Sequence, residues 1–150
     1  MPSFRNERHV RHPSDQMFDL VADVERYPEF VPLCTGLRVR SRRKDAQGRE
    51  TLLAEMSVGY KMIREKFTSR VVLDKARRRV VVEYIDGPFS HLENIWTFRD
   101  EPEGRSCVTF FIDYEFRSRA LGALMGAMFD AAFRKFAQAF EERADKIYPF

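Results

Sequence analysis

A long stretch of period two gives way late in this chain to a helical period, and that change limits the fold more than any other feature. From Leu37 to Phe116 apolar residues recur at every second position, and from about Ser118 onward they recur every three to four. A period of two marks strands with one buried face, and a period of 3.6 marks a helix with one apolar stripe. Leu52, Ala54, Met56 and Val58 alternate with Leu53, Glu55 and Ser57. Ile63, Glu65, Phe67, Ser69, Val71 and Leu73 then alternate with Arg64, Lys66, Thr68 and Arg70. Val80, Val82 and Tyr84 share one side of a strand spanning Arg79 to Asp86, and Leu92, Asn94, Trp96 and Phe98 share one side of the next. Val108, Phe110, Ile112, Tyr114 and Phe116 close the series. Asp45-Ala46-Gln47-Gly48, Asp86-Gly87-Pro88 and Glu101-Pro102-Glu103-Gly104 separate the runs with turn-forming residues.

Ahead of this series, Phe4 to Arg11 reads as a strand. Pro13-Ser14-Asp15 then supplies a helix start, with a hydroxyl available as cap, and Met17, Leu20, Val21 and Val24 form one apolar face. Pro28 and Pro32 restrict a second helical piece to a short turn around Glu29 to Val31, and Leu37 and Val39 open the next strand. After Ser118, the stripe Leu121, Leu124/Met125, Met128/Phe129, Ala132/Phe133, Phe136 and Phe140 predicts a long helix running nearly to Pro149. Short connections between strands argue for an antiparallel meander whose apolar face the helices must cover. The expectation is an α+β fold: a curved antiparallel sheet of about six to seven strands wrapped around a long C-terminal helix, with two short helices after strand 1. No repeat or linker divides the 150 residues, so residues 1–150 are read as one domain.

Composition enters mainly by exclusion. The longest uncharged apolar stretch, Ala120 to Phe129, is about half of a membrane span. Met1-Pro2-Ser3-Phe4-Arg5 leads into patterned sequence without an apolar signal region, which predicts a cytoplasmic protein. Cys34 and Cys107 form no CxxC pair and suit a reducing compartment. His9 and His12, three apart on a predicted strand, face opposite ways, and no metal site is expected. His91 follows a Gly-Pro turn and is expected to be exposed, and no GxSxG, HExxH or phosphate-binding loop is present. No catalytic residue is assigned, although a buried Glu65 could act as an acid or base in a cyclase.

Glu65, Ser69 and Asn94 are polar at positions whose neighbours point inward, with the phenol of Tyr84 or Tyr114 nearby. Either they satisfy one another or reach water at the rim, or they orient a ligand in an apolar pocket. Gly122 and Gly126 beside Met125 and Met128 have two readings as well. They make a flexible pocket door, or they allow close packing of helix on sheet. The basic runs Arg38 to Lys44 and Lys75 to Arg79 carry no interleaved aromatics, unlike a surface that stacks nucleic-acid bases. They suit a solvated rim or an anionic membrane surface.

Tyr27-Pro28-Glu29-Phe30-Val31-Pro32-Leu33-Cys34 resembles the Y-P-x-F-V-P-x-C signature of the coenzyme Q-binding START-like proteins. Asp86-Gly87-Pro88-Phe89 through Phe98 resembles that family's G-P-F-x-x-L-x-N-x-W-x-F segment. Val58-Gly59-Tyr60 with Ile63-Arg64-Glu65 and Ser69-Arg70-Val71 also fits. Leu33 departs from the pattern, since many relatives carry tryptophan there. The family lies in the polyketide-cyclase/START-like group and includes bacterial ribosome-association toxins. The resemblance implies a helix-grip fold with an internal tunnel for ubiquinone or a similar isoprenoid lipid. It also implies a carrier or chaperone that supports respiration and quinone synthesis, without a cofactor. The apolar wall would then comprise Phe30, Val31, Leu33, Phe67, Tyr84 and Trp96, with Phe110, Ile112, Met125, Met128 and Phe129. Glu65, Ser69 and Asn94 would be its polar groups. The expected partners are this ligand, an anionic surface peripheral to the inner membrane and, as the alternative, the ribosome.

Overall fold

The computed structural model describes residues 3–148. β1 (Ser3–Val10) leads to helix α1 (Ser14–Ala22) and a 3-10 helix (Val24–Glu29). Six strands follow: β2 (Cys34–Lys44), β3 (Glu50–Tyr60), β4 (Ile63–Asp74), β5 (Arg79–Asp86), β6 (Phe89–Glu101) and β7 (Arg105–Phe116). Helix α2 (Arg119–Ile147) ends the described chain. The strands form one antiparallel sheet in the order β1-β7-β6-β5-β4-β3-β2, so β2 to β7 are a meander and β1 returns to flank β7.

Register places every second residue on the concave face. Ala54 lies opposite Ser69, Val82 opposite Asn94, and Trp96 opposite Phe110. The sheet curls where its ladders slip, between Cys34 and Gly36, Val39 and Ser41, Thr68 and Ser69, and Phe89 and His91. Each slip adds local twist and bends the strand. Pairing of β5 with β6 stops at Glu83 and Glu93, and the strands part beyond it. The Tyr84 hydroxyl fills that parting by accepting the Phe89 N–H at 3.0 Å. The Phe89 ring packs there against Phe67, Tyr114, Phe116 and Phe129.

Helix α2 starts where the change of period places it. Ser118 is its cap and accepts the Leu121 N–H at 3.2 Å. Met125, Phe129, Ala132, Phe133, Ala137, Phe140 and Ala144 form its buried stripe. Its nearest backbone neighbours are β7, β1 and α1, while β2 to β5 curve further away. The molecule is therefore a sheet gripping a helix, closed on the β1–β7 side and spaced on the other.

Four local expectations need correction. Helical structure covers Val24–Glu29 rather than the turn around Glu29 to Val31, because a 3-10 helix tolerates Pro28 near its end. β2 opens at Cys34, three residues before Leu37. Ser14 does not cap α1 through its side chain; its own N–H donates to Asp100 Oδ1 at 2.9 Å. That bond, a second from the Ser14 hydroxyl and the nearby Arg78 hold the Asp100 carboxyl below the usual range. His12 lies beyond β1 and is buried, with Nε2 2.7 Å from Asp145 Oδ1, so strand alternation does not govern it.

Candidate functional site

The space between the concave face and α2 is a cavity of about 80 Å³. Its wall is almost wholly apolar and comes from four sources. Val24, Tyr27, Pro32 and Leu33 belong to the 3-10 helix and the turn after it, and Leu37, Ala54, Met56 and Val58 to β2 and β3. Phe67, Val71, Val82, Leu92, Trp96 and Ile112 come from β4 to β7, and α2 supplies Phe129, Ala132, Phe133, Phe136 and Phe140. At roughly 10–15 Å³ per water, the space suits a ring-sized group and not a long chain.

Two polar side chains interrupt the wall, Ser69 and Asn94. Ser69 is 5% exposed, and its hydroxyl has no hydrogen-bond partner. Asn94 differs: its Nδ2 donates to the Phe111 carbonyl at 2.8 Å, which holds the side chain against β7. Burying a hydroxyl without a partner costs about 1–3 kcal/mol. Among the described residues, the Ser69 hydroxyl is therefore the one fully buried side-chain polar atom on this wall without a partner.

The floor of the cavity is an aromatic cluster. The Tyr27 phenol donates to the Val21 carbonyl at 2.5 Å, and burial pushes its ionisation far above the usual range. Its ring stands edge-on to Phe140 at 5.2 Å, and Phe30 and Trp96 each meet Phe140 at 4.9 Å. The Arg143 guanidinium covers Phe30 at 5.1 Å and donates to Glu29 at 2.5 Å. Hydrogen bonds from Arg26 and Arg143 hold the Glu29 carboxyl below its ordinary range. Leu33 has φ 67, in the left-handed region that a branched side chain avoids. The Leu33 carbonyl is held there by the Gly59 N–H at 3.0 Å.

Of the residues singled out from the sequence, Leu33, Phe67, Ser69, Asn94, Trp96, Ile112 and Phe129 meet on this wall. The other seven lie elsewhere. Phe30 and Val31 back the aromatic floor, and Phe110 is fully buried behind Trp96. Met125 is fully buried, while Met128 is half-buried on the helix flank. Tyr84 is committed to Phe89, and Glu65 is half-buried two residues beyond Phe67 toward the β3–β4 turn. Tyr27, Val82, Phe133, Phe136 and Phe140 are wall residues that sequence reasoning treated as core or passed over. Their inward phase was visible, but whether an inward side chain meets a neighbour or open space depends on sheet curvature.

Close packing does not account for the helix glycines. A Cβ at Gly122 would meet Phe116 at 3.8 Å and one at Gly126 at 4.0 Å, both ordinary contacts. His91 is half-exposed and lies 3.0 Å from Asp113 Oδ2, rather than standing free. Among the described residues one set of metal-capable groups comes together, His9, Glu101 and Cys107. It lies on the convex face away from the cavity, with His9 Nδ1 2.9 Å from Glu101 Oε1. No described helix is long and apolar enough to cross a membrane.

A curved antiparallel sheet closed over one long helix, with an apolar cavity between them, defines a helix-grip domain of the START-like kind. The chain belongs to the polyketide cyclase/dehydrase and lipid transport family, whose model matches residues 10–141. It is 31% identical to the ribosome association toxin RatA of Rickettsia prowazekii, across 98% of this chain and 99% of that protein. It is 34% identical to the mitochondrial coenzyme Q-binding protein COQ10 homolog B of Xenopus laevis, across 89% of this chain but 54% of that one. Among solved structures, an 18 kDa protein from Caulobacter crescentus superposes with a TM-score of 0.78 at 38% identity, covering 99% of both chains. A Streptomyces aromatase/cyclase superposes with a TM-score of 0.80 at 18% identity, across 97% of this chain and 94% of that one, which shows the shared fold.

Proposed function

We propose that this protein binds ubiquinone or a similar isoprenoid quinone and carries it, unchanged, between the membrane and the enzymes that make or use it. One observation carries the reading: an apolar cavity whose wall holds a buried hydroxyl, Ser69, with no partner in the protein. A quinone head offers carbonyl acceptors, and Ser69 is placed to donate to one of them. Asn94, its Nδ2 already engaged by Phe111, keeps its carbonyl oxygen and a second N–H for the head. The isoprenoid tail asks only for apolar wall. With about 80 Å³ available, only the ring fits as the cavity stands, so the tail must extend beyond it. The relative named as a coenzyme Q-binding protein supports the choice of ligand. Glu65 stands outside the wall and is given no catalytic role. The site of action is the cytoplasmic side of an anionic membrane.

Mass spectrometry of an organic extract, from protein purified without detergent, tests the reading. A near-stoichiometric quinone is the expected result. An empty extract, followed by failure to take up quinone from vesicles, would overturn it.

A second reading has its own support, since the relative matched nearly end to end is named for ribosome association. On that reading the protein would bind a ribosomal subunit and hinder the joining of subunits. Sedimentation with purified subunits decides it, because a carrier without ribosomal affinity stays at the top of the gradient.

A further inference from the structure

The described residues expose five large hydrophobic side chains, and four of them cluster at one end of the molecule. Met62, at the β3–β4 turn, is 95% exposed, and Tyr60 beside it is 40% exposed. Leu124 is 62% exposed in the second turn of α2, and Ile85 is 46% exposed near the end of β5. Three connections bring these segments together. Thr68 pairs with Asp86, setting Ile85 alongside β4. Gly87 packs so tightly on β4 that a Cβ there would lie 2.6 Å from that of Phe67. Arg117 donates to the Gly87 carbonyl from Nη1 at 3.0 Å and to the Pro88 carbonyl from its backbone N–H at 2.9 Å, tying the start of α2 to the same turn. The fifth exposed residue, Ile147, is at the far end of α2.

The charge around this cluster has one dominant sign. Lys61, Arg64, Lys66, Arg117 and Arg119 lie on these same segments and are exposed. None of the five makes an ion pair among the described residues, although Asp86 and Glu65 lie on neighbouring positions. The basic runs singled out from the sequence are different. They lie at the opposite end of the strands, by the β2–β3 and β4–β5 turns, and acids interleave them. Arg40 pairs with Glu55, Arg42 with Glu25 and Glu50, Lys75 with Asp19, and Arg77 with Asp74. No large exposed hydrophobic residue accompanies them.

We infer that the end formed by the β3–β4 turn, the β5–β6 turn and the start of α2 docks on an anionic lipid bilayer. Met62 and Leu124 insert among the acyl chains, and the five cations contact the headgroups. A protruding methionine and leucine ringed by cations without carboxylate partners is complementary to such a surface. The contact also lies at the end of the molecule nearest two residues of the cavity wall. Phe67 on the cavity wall lies five residues from Met62 along β4, and Phe129 lies five residues from Leu124 along α2. The docking rests on the carrier reading for its purpose, but its test does not.

The test is co-flotation with vesicles of phosphatidylcholine and phosphatidylglycerol that contain no quinone. Failure to bind quinone therefore leaves the result intact. The expected result is binding to the anionic vesicles and a loss of about tenfold or more with Met62→Asp/Leu124→Asp. Lys61→Ser/Lys66→Ser should lose about tenfold or more, at about fivefold for each near-surface cation. Arg43→Ser/Lys44→Ser, which removes the same charge from the opposite end, should change binding less than twofold. Met62→Leu/Leu124→Met keeps the apolar surface and should bind as the parent does, and unchanged thermal melts show that the variants fold. Equal losses from the two charge variants would overturn the proposal, as would full binding by Met62→Asp/Leu124→Asp. Capture by purified ribosomes in preference to anionic vesicles, abolished by the same substitutions, would also overturn it and assign the surface to RNA.

Discussion

Replacing Ser69 by alanine should make the ligand-free protein more stable and its ligand binding weaker. The hydroxyl is buried and has no partner in the protein, and Ala54 faces it from β3. Folding therefore strips the hydroxyl of water and supplies no hydrogen bond in exchange, a cost of about 1–3 kcal/mol that Ser69→Ala removes. For a domain of this size each kcal/mol moves Tm by about 2–4 °C, so a rise of about 2–12 °C is expected by differential scanning calorimetry of delipidated protein. A hydrogen bond to a ligand carbonyl contributes about 1 kcal/mol, so quinone affinity should fall about fivefold. Asn94→Leu provides the contrast on the same wall. It removes the bond to the Phe111 carbonyl and should destabilise the protein by about 1–3 kcal/mol. A fall in Tm with Ser69→Ala would show that the hydroxyl has a structural partner. A rise in Tm with unchanged quinone affinity would show that it does not meet the ligand. Either result refutes the assignment of Ser69 as the anchor.

Other substitutions and conditions test the frame around the site. Gly87 has φ 149, and the Cβ of alanine would sit 2.6 Å from Phe67 Cβ, so Gly87→Ala should cost at least about 2 kcal/mol in urea denaturation. Gly122→Ala and Gly126→Ala meet no clash and should each stabilise by up to about 1 kcal/mol, while slowing quinone release if the start of α2 is the door. Burial pushes the Cys34 thiol up from 9.0 to about 11, so iodoacetamide at pH 8 should leave it unmodified until the protein unfolds. Between about 9 and about 11 the unfolded chain has released this proton while the folded chain keeps it. Stability should therefore fall as pH rises through that window, and Cys34→Ala should flatten the fall.

The strands and the long helix were legible because each buries one face and writes that face into its period. The start of the long helix near Ser118 was equally readable, although its cap was not singled out. The 3-10 helix was misplaced because Pro28 reads as a breaker, and only its closing turn against Phe140 shows how it is accommodated. The Ser14 cap failed for a different reason: its helix takes its carboxylate from Asp100, on a strand far along the chain. Inside the fold, alternation identified which residues point inward, including Ser69 and Asn94. It carried no information on which of them would be spoken for. Asn94 finds a backbone carbonyl, and Ser69, beside the slip in the β4–β5 ladder, finds nothing.

The position of β1 beside β7 has a consequence for how the chain is made. Ser3 lies opposite Asp113 and Val10 opposite Ser106, so the first strand synthesised has no partner until the last strand appears. The hairpins from β2 to β7 can pair with near neighbours as they emerge, but this long-range closure is slow and waits for the C-terminal third. Until then the concave face, rich in leucine, valine and aromatic side chains, is only partly covered. Helix α2 comes after β7, and without it α1 and the 3-10 helix cover only part of that face. A nonsense codon anywhere before α2 should therefore yield an open apolar sheet that aggregates, rather than a weakened carrier.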